Sequence, residues 1–134
     1  MKRILFIEDY PSTQKMYLRQ LDFFLKGELN TKLEILTATS IDEAREKFKL
    51  GPDIIVFDGT IDGPSVLNPN GNSDEVYPNT IVLVYEFRKT FSGPMIAASG
   101  SDKSREVLMK AGCDHGCLEK NHVPRKIIDI LGLV

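Results

Sequence analysis

The sequence predicts an α/β sandwich, a five-stranded parallel sheet with helices on both faces. Three observations lead there. Short, almost wholly apolar runs such as Ile4 to Ile7 and Ile54 to Phe57 have the pattern of strands buried on both faces. The segments between them carry apolar residues at helical spacing. Strand and helix alternate along the whole chain, an order that closes as a parallel sheet with right-handed crossovers.

Lys2 to Ile7 is the first strand. Pro11-Ser12-Thr13 opens a helix, with Met16, Leu18, Leu21, Phe24 and Leu25 predicted to face the sheet and Gly27 near its end. Leu33, Ile35 and Leu36 mark the second strand. Ser40 followed by Glu43 is an S-x-x-E capping box, so a helix is expected from Ile41. Ala44, Phe48 and Leu50 give it an apolar side, and Gly51-Pro52 stops it. Ile54 to Phe57 is the third strand and ends in Asp58-Gly59. The segment from Gly59 to Asn79 is rich in Gly, Pro, Asn, Asp and Ser and reads as a long inserted loop, the pattern of a lid or partner surface. Within it, 68–75 is oxygen-rich but lacks the acid spacing of an EF-hand. Thr80 to Phe91 has helical spacing. Met95 to Ala98 is the fourth strand. Ser101 or Asp102 caps the next helix, which ends at Ala111-Gly112. Cys117-Leu118 is the fifth strand, and Pro124 sits in the first turn of a last helix with Ile127, Ile128, Ile130 and Leu131 inward.

The bulk properties narrow the function. A length of 134 residues suits one domain, 1–134, with no separate output domain expected. Hydrophobic residues at 42% and charged residues at 27% are a globular balance. The net charge of -2 gives no electrostatic reason to bind nucleic acid or an anionic membrane. The apolar runs are too short to span a bilayer, and no signal-peptide core is present, so a cytoplasmic location is expected. In that setting Cys113 and Cys117 read as free thiols. The spacing of Cys113, His115, Cys117 and His122 matches no structural zinc pattern.

In open parallel sheets ligands bind at the carboxyl ends of the strands. Those ends carry Glu8 and Asp9, Asp58, Ser99 and Lys120. Three carboxylates brought together repel one another unless a hard divalent cation neutralises them, and magnesium suits such oxygens. A lysine holds a phosphoryl oxygen as a compact point charge, and a serine hydroxyl donates to another. An aspartate in that setting attacks phosphorus to give an acyl phosphate.

The chain resembles the receiver domains of two-component response regulators, of the single-domain, CheY-like kind. The matching runs are Ile4-Leu5-Phe6-Ile7-Glu8-Asp9, Pro52 to Asp58, Pro94 to Gly100, and Ala111-Gly112 through Lys120, in family order. The resemblance implies a flavodoxin-like (βα)5 fold and a phosphorylation switch rather than an enzyme. It implies that Asp58 accepts the phosphoryl group from a histidine kinase or phosphotransfer protein. It further implies that Glu8, Asp9, Asp58 and the Thr60 carbonyl bind Mg2+, that Ser99 is the switch hydroxyl, and that Lys120 contacts the phosphoryl group. Thr60 and Ser101 stand where side chains influence hydrolysis of the acyl phosphate, and Gly100 leaves room beside the site. A downstream protein target is implied, with a monomer or weak dimer as the assembly. The surface expected to change is the fourth predicted helix, the fifth strand and the last helix.

Three departures stand out. Cys117 lies three residues before the lysine, where the family often has an aromatic. Asn121 follows Lys120 where the family has a proline in a cis peptide. The acceptor loop carries the 59–79 insertion. These departures permit an alternative, a receiver-like binding module that signals without phosphorylation. A second alternative is weaker. Asp58-Gly59-Thr60 resembles part of the D-x-D-G-T motif of haloacid-dehalogenase-like phosphatases, but Val56 stands where that nucleophile belongs.

Overall fold

The computed structural model describes residues 1–61, 66–67 and 76–133. Among these residues the chain forms β1 (Lys2–Ile7), α1 (Pro11–Phe24), α2 (Leu29–Lys32), β2 (Leu33–Ala38), α3 (Ile41–Phe48) and β3 (Ile54–Asp58). It continues as β4 (Val66–Leu67), β5 (Val76–Tyr77), α4 (Ile81–Arg88), β6 (Met95–Ala98), α5 (Asp102–Ala111), β7 (His115–Cys117), a 3-10 turn (Lys120–His122) and α6 (Val123–Leu131).

The main sheet has the order β2-β1-β3-β6-β7, with every neighbouring pair parallel. Its side chains alternate between two apolar layers, as a period of two requires. Leu5, Ile7, Ile55, Phe57, Met95 and Ala97 pack with residues of α3, α4 and α5. Ile4, Phe6, Ile54, Val56, Ile96 and Ala98 pack with α1 and α6. This double burial explains why the strands are continuous apolar runs in the sequence. Among the described residues, no helix is long and apolar enough to cross a membrane.

Local chemistry sets most boundaries. Ser40 Oγ accepts from the Glu43 N–H at 3.1 Å, and Glu43 Oε1 accepts from the Thr39 N–H at 2.7 Å, so the capping box closes one residue earlier than its usual form. At the end of α5, Gly112 has φ 149, and a Cβ there would come within 2.7 Å of Arg88 Cγ. Arg88 Nε donates to the Gly112 carbonyl at 2.9 Å, so the glycine admits the arginine that joins α4 to α5.

Several expectations change. Tyr17 and Leu21 are the buried residues of α1, whereas Met16, Leu18 and Phe24 are half-buried. The Tyr17 ring stacks on Phe6 with centroids 4.8 Å apart. Leu50 is exposed, because α3 ends at Phe48 and Leu50 falls in the following turn, where its carbonyl accepts from Arg3 Nη1 at 2.7 Å. The helix expected to Phe91 stops at Arg88. Ser101, not Asp102, caps α5 through a 3.2 Å bond from the Ser104 N–H. The last strand is His115–Cys117, and Leu118 lies beyond it, exposed. The inserted segment is not wholly loop: β4 and β5 pair antiparallel, Val66 with Tyr77 and Leu67 with Val76. The oxygen-rich stretch 68–75 lies outside the described residues.

Candidate functional site

The strand register assembles the site. Ile7 pairs with Phe57, so Glu8 leaves β1 beside Asp58 at the end of β3. Asp58 pairs with Ala98, which sets Ser99 beside the loop that follows Asp58. The 3-10 turn after β7 brings Lys120 over the same edge.

There Lys120 Nζ donates to Glu8 Oε1 at 2.7 Å and to Asp58 Oδ1 at 2.9 Å. Glu8 is 1% exposed, and its Oε2 accepts from the Tyr10 N–H at 3.3 Å. The Glu8 carbonyl accepts from Gln14 Nε2 at 2.6 Å, which ties α1 to the site. Asp58 Oδ1 also accepts from the Gly59 N–H at 2.8 Å.

Burial pushes the Glu8 carboxyl up, with the Asp58 charge adding to the rise and the bond from Lys120 opposing it. For Lys120, burial pulls the ammonium down, but the bonds and charges of Glu8 and Asp58 outweigh it and the net direction is up. The lysine therefore stays charged as the counter-ion of two carboxylates.

Glu8, Asp9 and Asp58 each offer a carboxylate oxygen, and these lie within 4.8 Å of one another. Asp9 Oδ1 is buried with no hydrogen-bond partner among the described residues. Leaving such an atom unsatisfied is costly, and a cation in the cluster would satisfy it. Three carboxylates against one ammonium leave an excess of negative charge suited to a hard divalent cation. The donor set therefore fits Mg2+.

Ser99 is 8% exposed, and its Oγ accepts from the Ser101 N–H at 3.2 Å. A Cβ on Gly59 would lie 3.5 Å from that Oγ, so the hydroxyl sits against the residue following Asp58. Thr60, Gly100 and Ser101 are exposed at the rim.

Cys117 belongs to the same apolar layer as Ile4, Phe6 and Tyr17, on the α1 and α6 side of the sheet. Burial raises its thiol, against the lowering charges of Lys126 and Arg105. The position that faces α5 is instead Gly116, where a Cβ would meet Arg105 Cδ at 3.2 Å and Met109 Sδ at 3.6 Å. Arg105 Nη1 donates to the Ser99 carbonyl at 2.9 Å. An arginine stem thus covers the strand where a bulky side chain from β7 would otherwise project.

Among the described residues every peptide bond is trans, so Lys120-Asn121 lacks the cis bond the family pattern places there. Asn121 continues into the 3-10 turn instead. Cys113 and Cys117 belong to opposite apolar layers, which separates the two thiols of the Cys/His group. Sequence reasoning did not single out Gln14, Tyr17, Arg105, Asn79 or Thr80. The last two carry a readable signal, capping-type residues directly before an apolar helix.

No protein-family model and no curated protein matches this sequence. Solved structures do match the fold. One is a CheY-like receiver domain from Methylobacillus flagellatus, 16% identical with a TM-score of 0.66, covering 99% of this chain and 98% of that one. Another is the CheX-CheY-BeF3-Mg complex from Borrelia burgdorferi, 17% identical with a TM-score of 0.59, covering 97% and 89%. A third is an atypical orphan response regulator described as having a phosphorylation-independent regulatory mechanism, 12% identical with a TM-score of 0.62, covering 98% and 97%. The fold is that of the CheY-like receiver domains.

Proposed function

We propose that this chain is a phosphoacceptor switch of a two-component system, with its described residues acting as one receiver unit. The observation that carries the reading is the Lys120 ammonium bridging Glu8 and Asp58 at 2.7 and 2.9 Å, beside an Asp9 Oδ1 that has no partner among the described residues.

In this reading an Asp58 carboxylate oxygen attacks the phosphorus of a phosphohistidine or of acetyl phosphate. A P–O bond to Asp58 forms as the P–N or P–O bond to the donor breaks, and the leaving group departs with that electron pair. Glu8, Asp9, Asp58 and the Thr60 carbonyl would hold Mg2+, which supplies charge neutralisation for the transferring group. Lys120 would leave Asp58 for a phosphoryl oxygen, and the Ser99 hydroxyl would donate to another. Partners would be a histidine kinase or phosphotransfer protein and a downstream protein. The outer face of α5, β7 and α6 is the surface proposed to change.

Incubation with acetyl phosphate and Mg2+, followed by intact mass, tests this. One acid-stable, base-labile phosphoryl group is expected, absent from Asp58→Ala and from a metal-free control. The orphan regulator among the structural neighbours favours one rival, signalling without phosphorylation. Failure of both acetyl phosphate and beryllofluoride to change the protein would select that rival.

A further inference from the structure

After Asp58 the chain runs through Gly59, Thr60 and Ile61, leaves the main sheet, and returns at Asn79 and Thr80 to begin α4. Departure and return are bonded together. Asn79 Oδ1 accepts from the Ile61 N–H at 3.0 Å, and Asn79 Nδ2 donates to the Ile61 carbonyl at 2.8 Å. Thr80 Oγ1 lies 2.7 Å from the carbonyl oxygens of both Asp58 and Gly59, so its one proton is shared between them. The Thr80 N–H also donates to the Gly59 carbonyl at 3.4 Å. Asn79 is 3% exposed and Thr80 0%, so water does not substitute for these bonds.

Peptide planarity gives these contacts a consequence at the site. A carbonyl and the N–H of the next residue share one rigid plane and point in opposite directions. Holding the Ile61 N–H therefore aims the Thr60 carbonyl. Holding the Asp58 carbonyl likewise aims the Gly59 N–H, which donates to Asp58 Oδ1 at 2.8 Å. Asn79 thus sets a backbone oxygen proposed for Mg2+, and Thr80 sets the donor that orients the acceptor carboxylate.

The geometry points to Asn79 and Thr80 as positioning residues of the acceptor site, acting through the peptide planes on either side of Gly59 and Thr60. This inference rests on the phosphoacceptor reading above. It assigns Asn79 mainly to metal binding and Thr80 mainly to the reactivity of Asp58.

The test uses the full chain and the variants Asn79→Ala, Thr80→Val and Thr80→Ser. Mg2+ alone is titrated while the amide resonances of Gly59, Thr60 and Ile61 are followed. Phosphoryl uptake from acetyl phosphate is then timed at saturating Mg2+. Asn79→Ala should weaken Mg2+ about tenfold. Thr80→Val should slow uptake several-fold at saturating Mg2+ with a smaller change in affinity, and Thr80→Ser, which keeps the hydroxyl, should restore the rate. If Asn79→Ala does not fold, the Val and Ser pair at position 80 decides. Folded variants that lose stability but keep wild-type Mg2+ affinity and uptake would overturn the inference. A wild-type chain that binds no Mg2+ and takes up no phosphoryl group would instead overturn the receiver reading itself.

Discussion

The ends of β1 and β3 are held by charge, whereas the end of β6 and the start of α5 are held mostly by neutral groups. In the first region Lys120 bonds two carboxylates, and Asp58 and Glu8 each accept a further backbone N–H. In the second, the Ser99 hydroxyl accepts one N–H, and Arg105 donates to the Ser99 carbonyl as well as pairing with Asp102, whose side chain is largely exposed at the start of α5. The first region is strained by like charge and relieved by a lysine. The second is an apolar packing problem with a rotatable hydroxyl at its tip.

The largest expected break in this comparison comes from Lys120→Met. It leaves Glu8 and Asp58 facing each other without their counter-ion, and a loss of about 2–3 kcal/mol is expected in urea unfolding without Mg2+. Added Mg2+ should recover part of that loss. An unchanged unfolding midpoint would mean that the charged region is not held as described.

Arg105→Met keeps an unbranched side chain over Gly116 but removes the donor from the Ser99 carbonyl, together with the exposed pair to Asp102. About 1–2 kcal/mol should be lost, read as a lower melting temperature. An effect equal to that of Lys120→Met would erase the difference between the two regions.

Cys113, just before β7 and at the opposite end of β6 and α5 from the second region, probes the apolar packing beneath them by pH. Burial pushes its thiol from 9.0 up to about 12. The unfolded thiol ionises first, so this contribution is complete below pH 9 and is lost as pH rises toward about 12. Between pH 9 and 10 the loss is on the order of 1 kcal/mol. Cys113→Ala should flatten that part of the curve, and identical slopes for the two proteins would rule the thiol out as its source. The smallest effect is expected from Ser99→Ala, below about 1 kcal/mol in the same unfolding assay, because one neutral bond to a backbone N–H is lost.

Much of the site was legible because its charges stand at the ends of apolar runs. Glu8, Asp9, Asp58 and Lys120 could be placed on one sheet edge from the strand order alone, and the structure brings Glu8, Asp58 and Lys120 into direct contact. The internal packing was harder to read. Tyr17 falls outside the residues expected to face the sheet, yet its ring stacks on Phe6. Leu50 and Leu118 look like core residues, but each falls one or two positions beyond its element, where the periodic rule no longer applies. Counting back from the lysine pointed to Cys117, whereas the strand's alternation turns Gly116 toward α5. The Asn79 and Thr80 bonds span long sequence separations and leave no local period to detect.

Those same bonds bear on how the chain can vary. Because Ile61 and Asn79 are already joined, the ends of the excursion between them stay together whatever its length. Closing a longer flexible segment costs only about 0.6 kcal/mol per doubling. The position is therefore a natural grafting point, where sequence can be exchanged for a new recognition element a few residues from Asp58 without rebuilding the site.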